Sequence, residues 1–255
     1  MSVARDLLIG FGVGAFSGAF GVGGGIILVP TLVLLWHLSQ KRAQATSLVM
    51  VAIAALAGAV TYAVAGSVVW SSALYLMIGG LVGSLVGSAV VHRTTDARLQ
   101  FAFGLMLVAV SISLLFPRSE STAAVDSLEA PFVVLIIGGL VMGLLSALFG
   151  IGGGLVIIPF LVLTYDYPQQ VAAGTALVVM IPIALLGAWR QSRSGSTDWP
   201  LGLRIGVGSI PGAVVGAAIA LSLSGSAVRF AFAILLALIG IHMVRSSILS
   251  KRQQP

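Results

Sequence analysis

Apolar residues run through this sequence almost without interruption, and no other feature limits its possible folds as strongly. Of the 255 residues, 58% are hydrophobic and only 8% are charged, whereas a soluble domain carries roughly a quarter charged residues. The runs are uniformly apolar rather than alternating, which favours membrane-spanning helices over a β-barrel. We therefore expect an all-α polytopic membrane protein with no separate soluble domain.

The charged residues and the absence of cysteine narrow the classes of function. With no cysteine, the chain can form neither disulfides nor thiolate metal sites. The net charge of +6 comes from basic residues that stand in short loops, an arrangement that favours orientation in a lipid bilayer over binding of nucleic acid. We expect the bilayer as a partner, no nucleic acid, no metal and no cofactor, and either a monomer or a homodimer.

The sequence contains a repeat at a fixed offset of 129 residues. The stretch GVGGGIILVP at 21–30 returns as GIGGGLVIIP at 150–159. The match extends to less common residue types, for example in the pairs Gln40/Gln169, Thr46/Thr175, Trp70/Trp199 and Phe101/Phe230. Composition alone does not account for such coincidences. The sequence therefore predicts two homologous repeats, 1–116 and 131–255, joined by a polar linker at 117–130.

Each repeat is predicted to hold a glycine-broken segment followed by three transmembrane helices. The broken segments are 7–36 and 135–165. The predicted spans are 43–66, 73–91, 99–116, 170–190, 200–221 and 229–248. Thirty helical residues would be about 45 Å long against a hydrocarbon core of roughly 30 Å, so a broken segment either crosses once with a strong tilt or turns back as a re-entrant helix pair.

The distribution of basic residues favours the re-entrant pair. If the segment crosses once, the basic residues divide eight to five between the two sides; if it turns back, they divide eleven to two. The eleven are Arg5, Lys41, Arg42, Arg93, Arg98, Arg190, Arg193, Arg204, Arg245, Lys251 and Arg252. Because cytoplasmic loops collect Lys and Arg, we predict that the second repeat is inverted and that both termini are cytoplasmic.

The two glycine runs are the candidate binding site. Glycines in the runs, Gly23, Gly24, Gly25, Gly152, Gly153 and Gly154, permit positive φ angles and close approach to the backbone. A half-helix that begins after each run would point free N–H groups and the positive end of its dipole at the break, which favours an anion. The alternative is close helix packing, the role we predict for Gly79, Gly83, Gly87, Gly208, Gly212 and Gly216.

Three hydroxyl residues are further candidates for substrate binding. Thr46, Ser47 and Thr175 stand at the start of the span that follows each broken segment. They could donate to an anion or cap their own helices. Gln40 and Gln169 are interpreted as interfacial loop residues, and no intramembrane carboxylate is evident in the sequence.

The G-x-G-G-G-x-x-x-x-P pattern at 21–30 and 150–159, together with the duplicated layout, resembles the TauE/SafE family of sulfite exporters. The resemblance covers nearly the whole chain. It implies a prokaryotic inner-membrane permease that moves sulfite, sulfonates or related sulfur-containing anions, usually outward. An exporter of anions needs no coupling ion, because a cell that is negative inside favours their exit by about 2.3 kcal/mol per charge per 100 mV.

Three other functions stay open at this point. A channel-like anion pore also lacks a coupling group, and an uptake permease for a sulfur-containing anion would need an energy source that the sequence does not reveal. A membrane enzyme would need an activated nucleophile or a metal cluster inside the bundle, for which no suitably placed His or carboxylate is seen.

Overall fold

The computed structural model describes residues 3–90, 96–115, 131–150, 152–193 and 195–252. These residues form ten α-helices and no strands, which confirms the all-α polytopic fold. The helices are α1 (Val3–Phe20), α2 (Gly25–Trp36), α3 (Gln40–Val64), α4 (Trp70–Val90), α5 (Asp96–Leu115), α6 (Phe132–Phe149), α7 (Gly154–Tyr165), α8 (Gln169–Ser192), α9 (Trp199–Ser222) and α10 (Gly225–Arg252). The predicted linker at 117–130 lies outside the described residues.

Seven of these helices are long and apolar enough to cross a membrane. They are α1, α3, α4, α6, α8, α9 and α10. The helices α2 and α7 have 12 residues each and are too short to do so, since about 20 residues are needed to span the hydrocarbon core. Trp70 and Trp199, which match at the 129-residue offset, are the first residues of α4 and α9.

Two helix pairs are held together by glycine contacts between their backbones. On α9, Gly208, Gly212 and Gly216 lie against Leu7, Phe11 and Ala15 of α1 so closely that a Cβ atom would overlap their carbonyl oxygens. The matching contacts between α4 and α6 join Gly79, Gly83 and Gly87 to Ile136, Leu140 and Leu144. The packing role predicted for these six glycines is confirmed. In both pairs the residue numbers rise together, so the paired helices run parallel.

The counterpart helices of the two predicted repeats run in opposite directions. In the pair α3 and α8, Gly58 lies against Leu177 and Gly187 lies against Leu48, so the start of one helix meets the end of the other. In the pair α5 and α10, the Ser111 hydroxyl donates to the Ala233 carbonyl at 2.8 Å. These directions are the ones that an inverted repeat requires.

The first glycine break turns the chain back on itself. Gly24 packs against Val13, two helical turns before the end of α1. At the far end of the pair, the Arg5 guanidinium lies 4.4 Å above the ring of Trp36, although a straight helix would hold these residues about 45 Å apart. In the second pair, Gly138 of α6 lies against the ring of Phe160 of α7. Both α2 and α7 therefore fold back beside the helix that precedes them.

Candidate functional site

The backbone at both breaks adopts a conformation that glycine favours. Gly21, Gly23 and Gly24 have φ angles of 70°, 75° and 70°. The counterparts Gly150, Gly152 and Gly153 have φ angles of 68°, 79° and 88°. A left-handed backbone costs other residues roughly 1–2 kcal/mol each, which explains why glycine occupies these positions twice.

Each break has a row of backbone N–H groups that lack a hydrogen-bond acceptor among the described residues. The carbonyl of Gly24 accepts the N–H groups of Ile27 and Leu28 at 3.1 and 3.0 Å, so regular helical bonding begins there. The N–H groups at 22–26 have no acceptor among the described residues, although all five residues are buried. The same holds for the N–H groups at 152–155. Buried N–H groups are normally paired, so a water molecule or a ligand is the expected partner.

The two breaks meet at the centre of the helix bundle. Gly154, the first residue of α7, packs directly against the carbonyl oxygen of Gly21, and a Cβ atom on it would lie 3.0 Å from the Cα atom of Val22. Gly152 lies between Val51 of α3 and Met180 of α8, which are counterparts at the 129-residue offset. The start of α7 thus lies against the first break, beside Val51 of α3 and Met180 of α8.

The glycines at the breaks are also tightly packed. A Cβ atom on Gly24 would lie 2.6 Å from Cγ1 of Val13, and one on Gly153 would lie 2.7 Å from the Met142 side chain. The glycines at the breaks are therefore closely packed, and nearby N–H groups lack an acceptor among the described residues. The sequence suggested either close helix packing or anion binding for these glycines, and the two roles do not exclude each other.

The hydroxyl groups of Thr46 and Thr175 tie each repeat to the other. Thr46 Oγ1 accepts the backbone N–H of Asp198 at 3.0 Å, and Thr175 Oγ1 accepts the backbone N–H of Val69 at 3.1 Å. Asp198 is the N-cap residue of α9, and Val69 immediately precedes α4. Both threonines are fully buried. Because each oxygen acts as an acceptor in these bonds, each hydroxyl proton can still be donated.

Ser47 makes a different contact from the two threonines. Its hydroxyl donates to the carbonyl of Gly150 and to that of Gln44, both at 2.8 Å. Ser47 therefore connects α3 to the break of the second repeat. Its counterpart is Ala176, so the matching connection between α8 and the first break is absent.

A cavity of about 510 Å³ opens beside the first break. Its walls come from α2 between Gly25 and Leu34 and from α10 between Leu235 and Met243. The side chains of Gln44 and His242 are the polar members of this lining. Neither residue could be selected from the sequence, because the cavity depends on how α2 and α10 are spaced.

Two buried polar residues also contradict the interpretation of the sequence. Asp6 is only 1% exposed and its carboxylate lies 3.5 Å from the Arg204 guanidinium of α9, so a buried carboxylate does exist at the start of α1. Gln169 was interpreted as an interfacial loop residue, but it begins α8 and is 2% exposed. Its amide atoms have no partner among the described residues. Both residues are buried by contacts between helices that hydropathy does not report.

The comparison with known proteins agrees with this architecture. The model of the family described as "Sulfite exporter TauE/SafE" matches residues 1–114 and 135–255. The chain belongs to the TauE/SafE family. It is therefore a membrane transporter, and the family is a family of transporters rather than a class of enzymes.

Relatives of this TauE/SafE chain come from both bacteria and archaea. It is 27% identical to the probable membrane transporter protein YunE of Bacillus subtilis over 98% of this chain and 100% of YunE. It is 31% identical to a probable membrane transporter protein of Methanocaldococcus jannaschii over 82% of this chain and 79% of that protein. No solved structure gives a significant match. Among the described residues, no cluster of His, Asp or Glu could hold a metal ion.

Proposed function

We propose that this transporter moves small sulfur-containing anions, such as sulfite and sulfonates, out of the cytoplasm, and that the anion binds between the two glycine breaks. The observation that carries the proposal is that the start of α7 packs against the first break, and that the buried residues of both breaks have N–H groups without an acceptor among the described residues. Helix N-termini attract anions through these groups and through the helix dipole. An oxyanion with three acceptor oxygens suits several converging donors.

The proposed donors are the backbone N–H groups of Gly23, Gly24 and Gly25 and of Gly152, Gly153 and Gly154. Thr46 and Thr175 are buried near the starts of α3 and α8 and each retains a hydroxyl proton to donate. Ser47 contributes by holding the Gly150 carbonyl, which keeps the second break in place.

The proposed topology is an inverted repeat with both termini in the cytoplasm of a prokaryotic cell. The antiparallel directions of α3 and α8 and of α5 and α10 support it, as does the eleven-to-two division of basic residues. Transporters with inverted repeats commonly bind substrate where broken helices meet near the bilayer midplane.

Outward movement of an anion requires no coupling ion in this proposal. The membrane potential supplies about 2.3 kcal/mol per charge per 100 mV in a cell that is negative inside. The ion pair of Asp6 and Arg204 lies at the starts of α1 and α9, away from the helix ends that form the breaks. In this proposal, Asp6 and Arg204 take no part in coupling transport to an ion.

Flux measurements test the proposal. Proteoliposomes loaded with sulfite are expected to lose it faster than protein-free vesicles, with saturation at high sulfite and faster loss when the interior is negative. A current that rises in proportion to voltage without saturation would identify a channel. Efflux no faster than from protein-free vesicles at either sign of the potential would refute the proposal.

A further inference from the structure

Ser17 and Ser146 are two buried serines that lie outside the set of donors proposed above. They are counterparts at the 129-residue offset, and they belong to α1 and α6, the helices that lead into the two breaks. Ser17 is 0% and Ser146 is 2% exposed. Their carbonyl oxygens accept the N–H groups of Gly21 and Gly150 at 2.8 and 2.9 Å. Each serine therefore stands one helical turn before its break.

Ser17 lies on the face of α1 that the returning chain covers. Val13 packs against Gly24 on this face. Residues four apart share one face of a helix, so Ser17 continues the face of Val13 one turn closer to the break. The chain that leads from Gly21, at the end of α1, back to Gly24 therefore passes Ser17. This part of the chain carries the first of the N–H groups at 22–26 that lack an acceptor among the described residues.

Ser146 has the equivalent position in the second repeat. Met142 packs against Gly153, with its Cγ atom 2.7 Å from where a Cβ atom on that glycine would lie. These two residues are the counterparts of Val13 and Gly24. Because Ser146 follows Met142 by four residues, it faces the second break as Ser17 faces the first. The two serines are therefore equivalent in their packing as well as in the sequence.

The Ser17 hydroxyl has no hydrogen-bond partner among the described residues. A serine within a helix can donate to a carbonyl of the preceding turn, and the hydroxyl groups of Ser47, Ser192 and Ser209 do so here at 2.6–2.8 Å. Ser17 makes no such bond, although it is fully buried. Burial of an unpaired hydroxyl is unfavourable, so a ligand or a water molecule is the expected partner.

A hydroxyl at this position complements the backbone donors of the break. The N–H groups are fixed by the backbone, whereas an O–H group rotates about the Cβ–Oγ bond and can follow an acceptor. Ser17 presents its hydroxyl from the side of α1, and the N–H groups belong to the chain that returns beside it. Hydrogen bonds to a charged acceptor are stronger than those between neutral groups. An anion in the break would therefore receive donors from two directions.

We infer that the hydroxyl groups of Ser17 and Ser146 bind the transported anion directly, one from each repeat, beside the N–H groups of the breaks. The inference rests on the proposed function and adds two substrate-binding residues to its site. Without the anion, the Ser17 hydroxyl has no partner among the described residues. Removal of this hydroxyl therefore weakens anion binding but does not weaken the anion-free protein.

Ser17→Ala and Ser146→Ala test the inference in the purified protein in lipid nanodiscs. The affinity for sulfite, measured by equilibrium binding of radiolabelled sulfite, is expected to fall about ten- to a hundred-fold for each variant, because each loses one hydrogen bond to a charged ligand. Thermal unfolding without sulfite is expected to give Ser17→Ala a midpoint temperature equal to or above that of the native protein, because the variant no longer buries an unpaired hydroxyl.

Ser209→Ala is the matched control. Ser209 is also a fully buried serine of a helix, and it packs against Gly14 of α1. Its hydroxyl, however, donates to the Gly206 carbonyl of its own helix at 2.6 Å. The control variant is therefore expected to have a lower midpoint temperature and an unchanged affinity for sulfite. The opposite pattern in Ser17→Ala distinguishes a hydroxyl that binds the ligand from one that stabilises the fold.

Three results would overturn the inference. An unchanged sulfite affinity in either Ser17→Ala or Ser146→Ala, with the native protein still binding and transporting sulfite, refutes the inference and leaves the proposed function standing. A midpoint temperature of Ser17→Ala as low as that of Ser209→Ala would show that Ser17 stabilises the fold instead. If the native protein neither binds nor transports sulfite, the proposed function fails, and the inference fails with it.

Discussion

The two folded-back helix pairs, α1–α2 and α6–α7, have similar backbone conformations at their breaks but differ in their surroundings. The N-cap glycines Gly24 and Gly153 are both left-handed, and so are the C-cap residues His37 and Asp166. Yet Pro30 is exposed and lines the cavity, whereas its counterpart Pro159 is buried. The cavity therefore borders α2 at a residue whose counterpart on α7 is packed inside the protein.

The difference is strongest at the ends of α2 and α7. After α7, the Tyr167 hydroxyl is hydrogen-bonded to the Ser72 hydroxyl of α4 at 2.8 Å, and both residues are buried. The ring of Tyr165 lies against those of Phe160 and Tyr167. At the 129-residue offset, Tyr167 corresponds to Leu38 and Ser72 to Leu201. This polar connection joins the two repeats, and the counterpart residues Leu38 and Leu201 cannot form one like it.

This difference shows that the glycine breaks recur in both repeats, whereas the residues that control access to the breaks differ between the repeats. The turns that need glycine recur in both copies because only that backbone exposes the N–H groups. The residues that close the end of a pair do not recur. We interpret α6–α7 as the closed side of the transporter and α1–α2 as the open side in this conformation.

The largest effect is expected from alanine at the N-cap glycines. Gly24→Ala and Gly153→Ala add backbone strain of about 1–2 kcal/mol and bring a Cβ atom to 2.6–2.7 Å from Val13 or Met142. Sulfite efflux from proteoliposomes is expected to fall at least ten-fold for each.

The control for this strain is a glycine elsewhere with the same backbone. Gly66 and Gly195 both have φ angles of 69° and no neighbour near a Cβ position. Gly66→Ala and Gly195→Ala are expected to lose only the stability that backbone strain costs, about 1–2 kcal/mol, and to retain efflux. If all four variants transport at the same rate, the breaks have no special role.

The second prediction concerns Thr46 and Thr175, which hold equivalent positions in the two repeats. Thr46→Val leaves the partly buried N–H of Asp198 without its acceptor, and Thr175→Val does the same to the buried N–H of Val69, which costs about 1–3 kcal/mol. Thermal unfolding is expected to report equal losses for the two variants. Thr→Ser at either position is expected to restore most of the stability; a large difference between the two valine variants would break the proposed symmetry.

The third prediction concerns the closed end of α7. Burial raises the pKa of Tyr167, so its hydroxyl stays protonated and its bond to Ser72 persists across the ordinary pH range. Tyr167→Phe removes the bond at a cost of about 1 kcal/mol. This cost corresponds to about a five-fold rise in the fraction of molecules in which the end of α7 is released from α4.

Cysteine labelling measures this opening directly, because the chain has no cysteine of its own. Ile27 lines the cavity, and Val156 is its counterpart on α7. Ile27→Cys is expected to react with a water-soluble thiol reagent, and Val156→Cys is expected to react slowly until Tyr167→Phe is added. Equal reactivity of the two single-cysteine proteins would contradict the assignment of an open and a closed side.

The smallest effect is expected at Ser47. Ser47→Ala reproduces the residue found at the counterpart position, Ala176, and removes one hydrogen bond to Gly150. The expected loss of stability is about 0.5–1.5 kcal/mol, measured by thermal unfolding. Sulfite affinity is expected to fall by less than about three-fold, and a complete loss of binding would show that Ser47 contacts the anion directly.

The sequence predicts the helical fold and the glycine packing because both depend on features that lie along one helix. Apolar runs mark the helices, and the spacing of Gly79, Gly83 and Gly87 by four marks the face that approaches another helix. The burial of Asp6 and Gln169 could not be predicted in this way, since it depends on which helices are neighbours and how they are aligned. The cavity and the bond between Ser72 and Tyr167 depend on the same alignment.

The most direct test of a shared anion site is a structure determined with bound selenite, whose selenium can be located by anomalous scattering. The account predicts one anomalous peak at the centre of the bundle, with selenite oxygens about 2.7–3.2 Å from backbone nitrogens of both 23–26 and 152–155. A peak at only one of the two breaks, or a well-bound selenite elsewhere in the protein, would contradict a site shared by the two repeats.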